Sequence, residues 1–550
     1  MSEVYVKSFG AVGDGVTDDT EALQAAIDAT PVNGTLLLED GATYKTSKDL
    51  VGVKNIHFLG KGATIVATHH KGRGLVFEGS LKATTTTSAA YTANTTYVTV
   101  GSTSGMAVGD QIRIYHTGDL YDTSRAYYYK GGNFLITKIS GNNVYISRRI
   151  PYDMKSGAKV EVYKPITVTV DDLTIKHTGT LGSSVYGEYG LNIRFSKYSE
   201  VSNVTVDNFN HNIKMDMTLN CLLYRVKTGK AYWSGSSESY GVSNYSGNGL
   251  MIMHSTLNSG RHGYTTTGQE TSYDTVLNRC TIGQDDAVDL AGLDCHGNNY
   301  SLRALECTIK RFHLAGNCLL ERCTVNESAK GNSSSFMVAE TRPRSNFFLK
   351  DCYLYSPVYK IDAWGQQPTT SRKYIGSIVF ENVKGGDAYT QCTFKSRDTG
   401  GSVQAIIDKL IVRGCENFTL VTNEQINNMY FEEVNTKRDA KILEQVGDAK
   451  ADKIEFKKCT LPARWRTFYL TNFKNLKLID CKWNVINSSA ASMWVTSSAA
   501  SVDLIRTDFT FGGGVETGGL DKFTTTQTSS IKFKQPSSIK TKRRVTYTNI

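Results

Sequence analysis

The stretch Phe9-Gly10-Ala11-Val12-Gly13-Asp14-Gly15-Val16-Thr17-Asp18-Asp19-Thr20 decides how the rest of this chain is read. Asp18 stands three residues before Glu21, a spacing suited to a helix N-terminus. Ala22, Leu23, Ala26 and Ile27 then form one apolar stripe at helical spacing. A short helix with one apolar face is suited to lie across the open end of a stack of strands, an end that would otherwise template aggregation.

Further along, one phrase keeps returning. Leu277-Asn278-Arg279-Cys280-Thr281-Ile282 is followed by Leu305-Glu306-Cys307-Thr308-Ile309, and the same pattern recurs around Cys323, Cys352, Cys415, Cys459 and Cys481. Val383 and Val434 stand at the cysteine place in two related copies. A strand, a polar corner and a small apolar residue thus recur every 16 to 32 positions. That rhythm predicts a solenoid whose coils stack, each burying inward side chains on the next. The expected fold is all-β: a right-handed parallel β-helix with an N-terminal capping helix and a small inserted β-barrel-like domain. The insertion is expected where the rhythm breaks. The expected divisions are residues 1–79 for the cap and first coils, 80–165 for the insertion, 166–510 for the main helix and 511–550 for a tail of single strands.

Composition agrees with a long β architecture. The 550 residues include only 8 Pro but 49 Gly, and strand formers alternate with polar turns. No run of about 18 apolar residues exists, so no membrane insertion is expected. The start, Met1-Ser2-Glu3-Val4-Tyr5, lacks the basic and apolar regions of a signal peptide, which predicts synthesis in a cytoplasm without that export route. The eleven cysteines are odd in number and show no zinc-type Cys-x-x-Cys pair, so free buried thiols are expected. A net charge of +10 suits an anionic partner. Only Lys540-Thr541-Lys542-Arg543-Arg544 is dense in cations, so no nucleic acid is expected.

The segment from Phe9 to Ala29 closely resembles the opening of the pectate-lyase-like β-helix superfamily, in which a Gly-Asp-Gly turn precedes Thr-Asp-Asp-Thr and a capping helix. Within it the whole chain looks most like bacteriophage tailspikes and related tail appendages. The resemblance implies a homotrimer on a virion tail or baseplate, acting outside the cell on a bacterial surface polysaccharide such as a capsule, exopolysaccharide or teichoic acid. The motif speaks for fold more than for chemistry, because the superfamily holds lyases, hydrolases and non-catalytic binders.

Reactive side chains crowd between about residues 240 and 345. Gly260-Arg261-His262-Gly263-Tyr264 is followed by Asp285-Asp286, by Asp294-Cys295-His296, and by Glu340-Thr341-Arg342-Pro343-Arg344. Successive coils lie about 4.8 Å apart, so such motifs can converge on one patch. The candidate catalytic residues are Asp294, His262, Asp286, His296, Glu340 and Asp285. Arg261, Arg342, Arg344, Tyr264, Trp233 and Trp364 are candidates for gripping substrate. Asp285-Asp286 resembles the paired aspartates of polygalacturonases, but the Asn-Thr-Asp element of that family is missing. Three reactions stay open. Glycosidic hydrolysis needs two carboxyl groups, for which Asp286 with Asp294 or Glu340 would serve, and it ranks first. β-Elimination needs a base and cations on a uronate, for which His262, Arg261 and Arg342 would serve. Phosphodiester hydrolysis would use His262 and His296. No spacing marks a cofactor or metal site, although the scattered ligands of a calcium site need none.

Overall fold

The computed structural model describes residues 2–69, 72–121, 126–178, 188–230, 239–283, 291–326, 335–338, 345–355, 359–362, 374–385, 390–394, 405–436, 442–445, 449–461, 468–485, 493–495, 501–505, 508–511, 523–525 and 548–549. The chain divides into two compact units, Met1–Gly316 with Ser328–Ser333, and Asn317–Glu327 with Ser334–Ile550. Both are built from stacked parallel strands, as a parallel β-helix requires.

The opening motif of the first unit works through its carboxylates. Asp14 Oδ1 accepts the backbone N–H groups of Val16 at 2.8 Å and Thr17 at 2.7 Å, closing the turn. Asp19 is buried, and its carboxylate accepts Val12 N–H at 2.7 Å and Gly13 N–H at 3.1 Å. Gly13 has φ +71°, and a Cβ there would come within 3.0 Å of the Ala42 methyl. The helix Thr20–Ala29 follows, burying Leu23, Ala26 and Ile27. Asp19 is its N-cap by position but gives it no side-chain bond. Asp18 instead accepts the Thr20 N–H at 3.1 Å. Gln24 holds the helix on the first coils by bonding both the N–H and the carbonyl of Val51.

Two parallel ladders form the main walls of this unit. One runs through Thr169–His177, Glu200–Asp207, Leu222–Tyr224, Met251–Met253, Thr275–Asn278 and Ser301–Leu305. The other runs through Arg73–Glu78, Tyr189–Arg194, His211–Asp216, Tyr240–Tyr245, His262–Thr267, Leu293–Cys295 and Phe312–Leu314. Leu191, Ile213, Val242, Tyr264, Leu293 and Phe312 occupy one register column of the second ladder, and all are fully buried.

The polar corner of the repeated phrase has a conformational cause. Arg279 and Glu306 in the first unit take φ of 51° and 53°. In the second unit Arg322, Asp351, Asn382, Glu433, Lys458 and Asp480 take φ between 51° and 56°. One left-handed residue bends the chain between a longer and a shorter strand, a conformation that costs roughly 1–2 kcal/mol for a non-glycine residue. The small residue after it turns inward. Cys280 Sγ donates to Ile252 O at 3.4 Å, and Cys352 Sγ to Leu320 O at 3.4 Å. Among the described residues ten cysteines are buried and in no disulfide.

Between the coils of the first unit sit six antiparallel strands from Ser80–Thr86 to Lys159–Lys164. A bridge between Thr87 and Val100 joins the outer strands, giving the small closed sheet expected as an insertion. Its core of Val98, Ile112, Ile114, Phe134, Val144 and Val160 takes in Tyr273 from the coils.

In the second unit the ladder Asn317–Glu321, Ser345–Lys350, Tyr374–Glu381, Ile406–Arg413, Gln425–Glu432, Ala451–Lys457, Phe473–Ile479 and Ser501–Ile505 is parallel throughout. Phe431 and Phe456 stack in its core at 4.3 Å with planes 5° apart. Phe523–Thr525 and Thr548–Asn549 extend a neighbouring parallel ladder, so these parts of the expected tail pair like coils instead of running as single strands. No helix among the described residues is long and apolar enough to cross a membrane.

Candidate functional site

Alternation along the second ladder of the first unit creates the site. Inward columns are apolar, and between them Lys214, Ser243, Thr265, Asp294 and His313 share one register column on the other face. Asp294 is 1 % exposed. An isolated buried carboxylate is costly unless donors surround it, and here they do. His313 Nδ1–H donates to Oδ1 at 2.6 Å. His296 Nε2–H donates to Oδ2 at 2.9 Å, and the Thr265 hydroxyl to the same oxygen at 2.8 Å. His262 Nε2 stands 3.7 Å from Oδ2. Burial pushes the Asp294 carboxyl up, but the imidazoles of His262 and His296, with the bonds from His296 and His313, outweigh it and hold it well below the usual carboxylate range.

His262 differs from its neighbours. Its Nδ1 lies 2.6 Å from the carbonyl oxygen of Ala291, which only accepts, so Nδ1 carries the proton. Burial above all lowers its pKa to about 4, against the pull of Asp294 and with the help of Arg261. The ring is therefore neutral at pH 7, with its Nε2 lone pair turned to the carboxylate. The Tyr240 ring stacks on it at 5.6 Å. Gly263 beside it has a packing reason, since a Cβ there would come within 2.2 Å of Leu257 O. Exposure rises outward through the cluster, with side chains 5 % exposed at His262, 11 % at His296 and 21 % at His313. The two more exposed rings each give one N–H to Asp294, so His296 Nδ1 and His313 Nε2 are the nitrogens not bonded to that carboxylate.

Of the candidates, Arg261, His262, Asp294 and His296 come together on neighbouring coils. Arg261 Nη1 donates to Tyr240 OH at 3.1 Å, while its buried Nε has no hydrogen-bond partner among the described residues. Tyr264 does not line this face. It is fully buried inside the coil and bonds Thr275 Oγ1 at 3.1 Å, because it shares the inward column of Val242 and Leu293. Asp285, Asp286, Trp233, Glu340, Arg342, Arg344 and Trp364 lie outside the described residues. His313 and Thr265 escaped the sequence reading. A histidine between Phe312 and Leu314, both buried, has the alternation of an outward strand position, and that pattern would have found it. Among the described residues no group of three or more His, Cys, Asp or Glu is arranged to hold a metal ion.

The fold is that of phage tailspike β-helices. The tailspike of Acinetobacter baumannii bacteriophage AP22, solved in complex with an A. baumannii capsular saccharide, superposes with a TM-score of 0.61 at 14% identity over 90% of this chain and 79% of that one. The tailspike of Pseudomonas phage LKA1 gives 0.57 at 18% identity over 96% and 83%. Residues 4–232 match the family described as rhamnogalacturonase A/epimerase, pectate lyase-like. A capsule K30/K69-specific depolymerase of Klebsiella phage K64-1 is 30% identical over 196 residues, 34% of this chain. That match spans about a quarter of the relative's length, 24%.

Proposed function

We propose that the chain is a phage tailspike depolymerase that binds and cleaves an anionic capsular polysaccharide, working as a homotrimer on the virion tail. The observation that carries this reading is the Asp294 carboxylate, buried on a β-helix face and bonded to His296 and His313. The likeness to the Klebsiella phage depolymerase supports the substrate class. The charge of +10 suits an acidic polymer.

Asp294 acts here as a positioning group. A hydrolytic acid must carry a proton and reach the glycosidic oxygen, whereas Asp294 is ionised and its oxygens already accept three donors. The chemistry therefore falls to imidazole, and β-elimination from a uronate fits best. His296 Nδ1 removes the proton at C5 and Asp294 stabilises the imidazolium. The C5–H pair becomes the C4–C5 double bond, the C4–O4 bond breaks, and the departing oxygen takes a proton from water. Arg261 supplies positive charge for the uronate. Hydrolysis remains the second reading, through Asp286 or Glu340 as the further carboxyl groups.

Incubation with a panel of purified capsular polysaccharides, K30 and K69 among them, tests the reading. The expected products absorb in the ultraviolet as unsaturated uronates. Reducing ends without that absorbance would assign hydrolysis, and new phosphate monoesters a phosphodiesterase. Binding with no cleavage of any polymer would leave a receptor-binding β-helix and remove the enzyme.

A further inference from the structure

The insertion is fastened to the coils in a graded way. Gln111 and Asn133 side chains both donate to Met217 O at 2.6 Å, at the end of strand His211–Asp216. Two residues on, the Arg113 guanidinium bonds Glu270 at 2.5 Å, just past strand His262–Thr267. Tyr129 N–H donates to Gln269 O at 2.8 Å, and Tyr121 OH reaches Asn299 O at 3.4 Å. These fastenings run from the coil of His211–Asp216 to that of Leu293–Cys295. Tyr129, held by Gln269 just past strand His262–Thr267, stands beside the coil that precedes the one with Asp294 and His296.

At that level the insertion presents an unusual surface. Tyr115 and Tyr129 are stacked at 6.5 Å with planes 26° apart, and both are partly exposed. Tyr127, two residues before Tyr129, is 41% exposed. Lys159 lies 5.8 Å from the Tyr115 ring centroid and is exposed, with no carboxylate partner among the described residues. Aromatic faces with an uncompensated cation suit a sugar ring that carries a carboxylate. The ring's apolar C–H face lies on the aromatic plane and its charge meets the ammonium.

We propose that Tyr129 and Lys159 on the insertion form a subsite for an acidic sugar unit of the polymer that is cleaved at His296. This rests on the depolymerase reading above. The insertion then selects substrate in addition to packing on the coils.

The test uses the full chain and the capsular polysaccharide that the wild type cleaves fastest in the panel. Tyr129→Ala is expected to raise KM at least tenfold and Tyr129→Phe, which keeps the ring, less than twofold. Lys159→Ala is expected to raise KM several-fold at low salt, with the difference shrinking at high salt as screening takes over. Tyr97→Ala, a 41% exposed aromatic on a different strand of the insertion, serves as the control and should leave KM unchanged. KM within twofold of wild type for both Tyr129→Ala and Lys159→Ala, or an equal rise in Tyr97→Ala, overturns the subsite while the depolymerase stands. If Tyr129→Ala fails to fold, the exposed Lys159 decides alone. A wild type that binds without cleaving replaces KM by Kd in the same comparison. One that neither binds nor cleaves any polymer overturns both proposals.

Discussion

The corner column and the Asp294 column are each visited once per coil, yet they use side chains in opposite ways. At the corner the backbone is constant and the side chain is not. Arg279, Glu306, Asp351, Asn382 and Lys458 all adopt nearly the same left-handed φ and are exposed. On the Asp294 face the backbone is equally regular, but Lys214, Ser243, Thr265, Asp294 and His313 are distinct chemical parts and most are buried. Water tolerates any polar group at the corner. On the face, each buried group must match its neighbour.

The largest expected effect comes from breaking that match. Asp294→Asn keeps the shape but places an amide N–H against the donors of His296 and His313, so the rings lose their fixed tautomers. Cleavage should fall about 10²–10⁴-fold, measured as kcat on the polymer that wild type cleaves. A residual rate within threefold of wild type would remove Asp294 from the site.

Arg113→Met tests whether the insertion obeys the rule of the buried face. Glu270 is 1 % exposed, and it would lose the guanidinium that offsets its burial. Leaving such a charge unpaired costs about 3–5 kcal/mol, so the variant should melt clearly below wild type. Adding Glu270→Gln should recover part of the loss.

Acid probes the same face without mutation. The folded pKa of His262 is lowered to about 4 from an ordinary 6.5, so between those values the unfolded chain binds the extra proton. Its burial therefore destabilises increasingly as pH falls from 6.5 to 4, by on the order of 3 kcal/mol in all. Asp294, also lowered, adds stability that is fully present above the usual carboxylate range and is lost only as pH falls below it. Urea midpoints should drop between pH 6.5 and 4, and His262→Gln should flatten the upper part of that slope.

The smallest effect belongs to the corner. Lys458, at φ 53°, pairs with Glu433 at 3.4 Å on the surface. Lys458→Asn, which suits the left-handed region better, should raise stability by about 0.5 kcal/mol, while Lys458→Val should lower it. Equal stability for all three would mean that the corner carries no conformational cost.

The two columns were unequally legible. The corner repeats its residue classes, so Cys280, Cys307 and their successors announced the coils without reference to any partner. The face does not repeat, and its meaning lies in contacts across coils. Asp294 and His296 stood out because they are two residues apart, and their side chains are bonded. His313, 19 residues beyond Asp294, carried only the alternation between Phe312 and Leu314. Tyr264 lies two residues from His262, yet the register puts it in the core. Asp19 was likewise hidden: its neighbour Asp18 has the spacing of a cap, but only the folded turn reveals that Asp19 holds Val12 and Gly13.

The left-handed corner also uncouples the length of a coil from its shape. One residue of nearly any polar type makes the bend, so the chain between bends can lengthen or shorten, and closing a longer loop costs only about 0.6 kcal/mol per doubling. Each coil is then an interchangeable cassette. Loops between the bends can be exchanged whole, in register, while the thiol and the bend beneath them stay as they are.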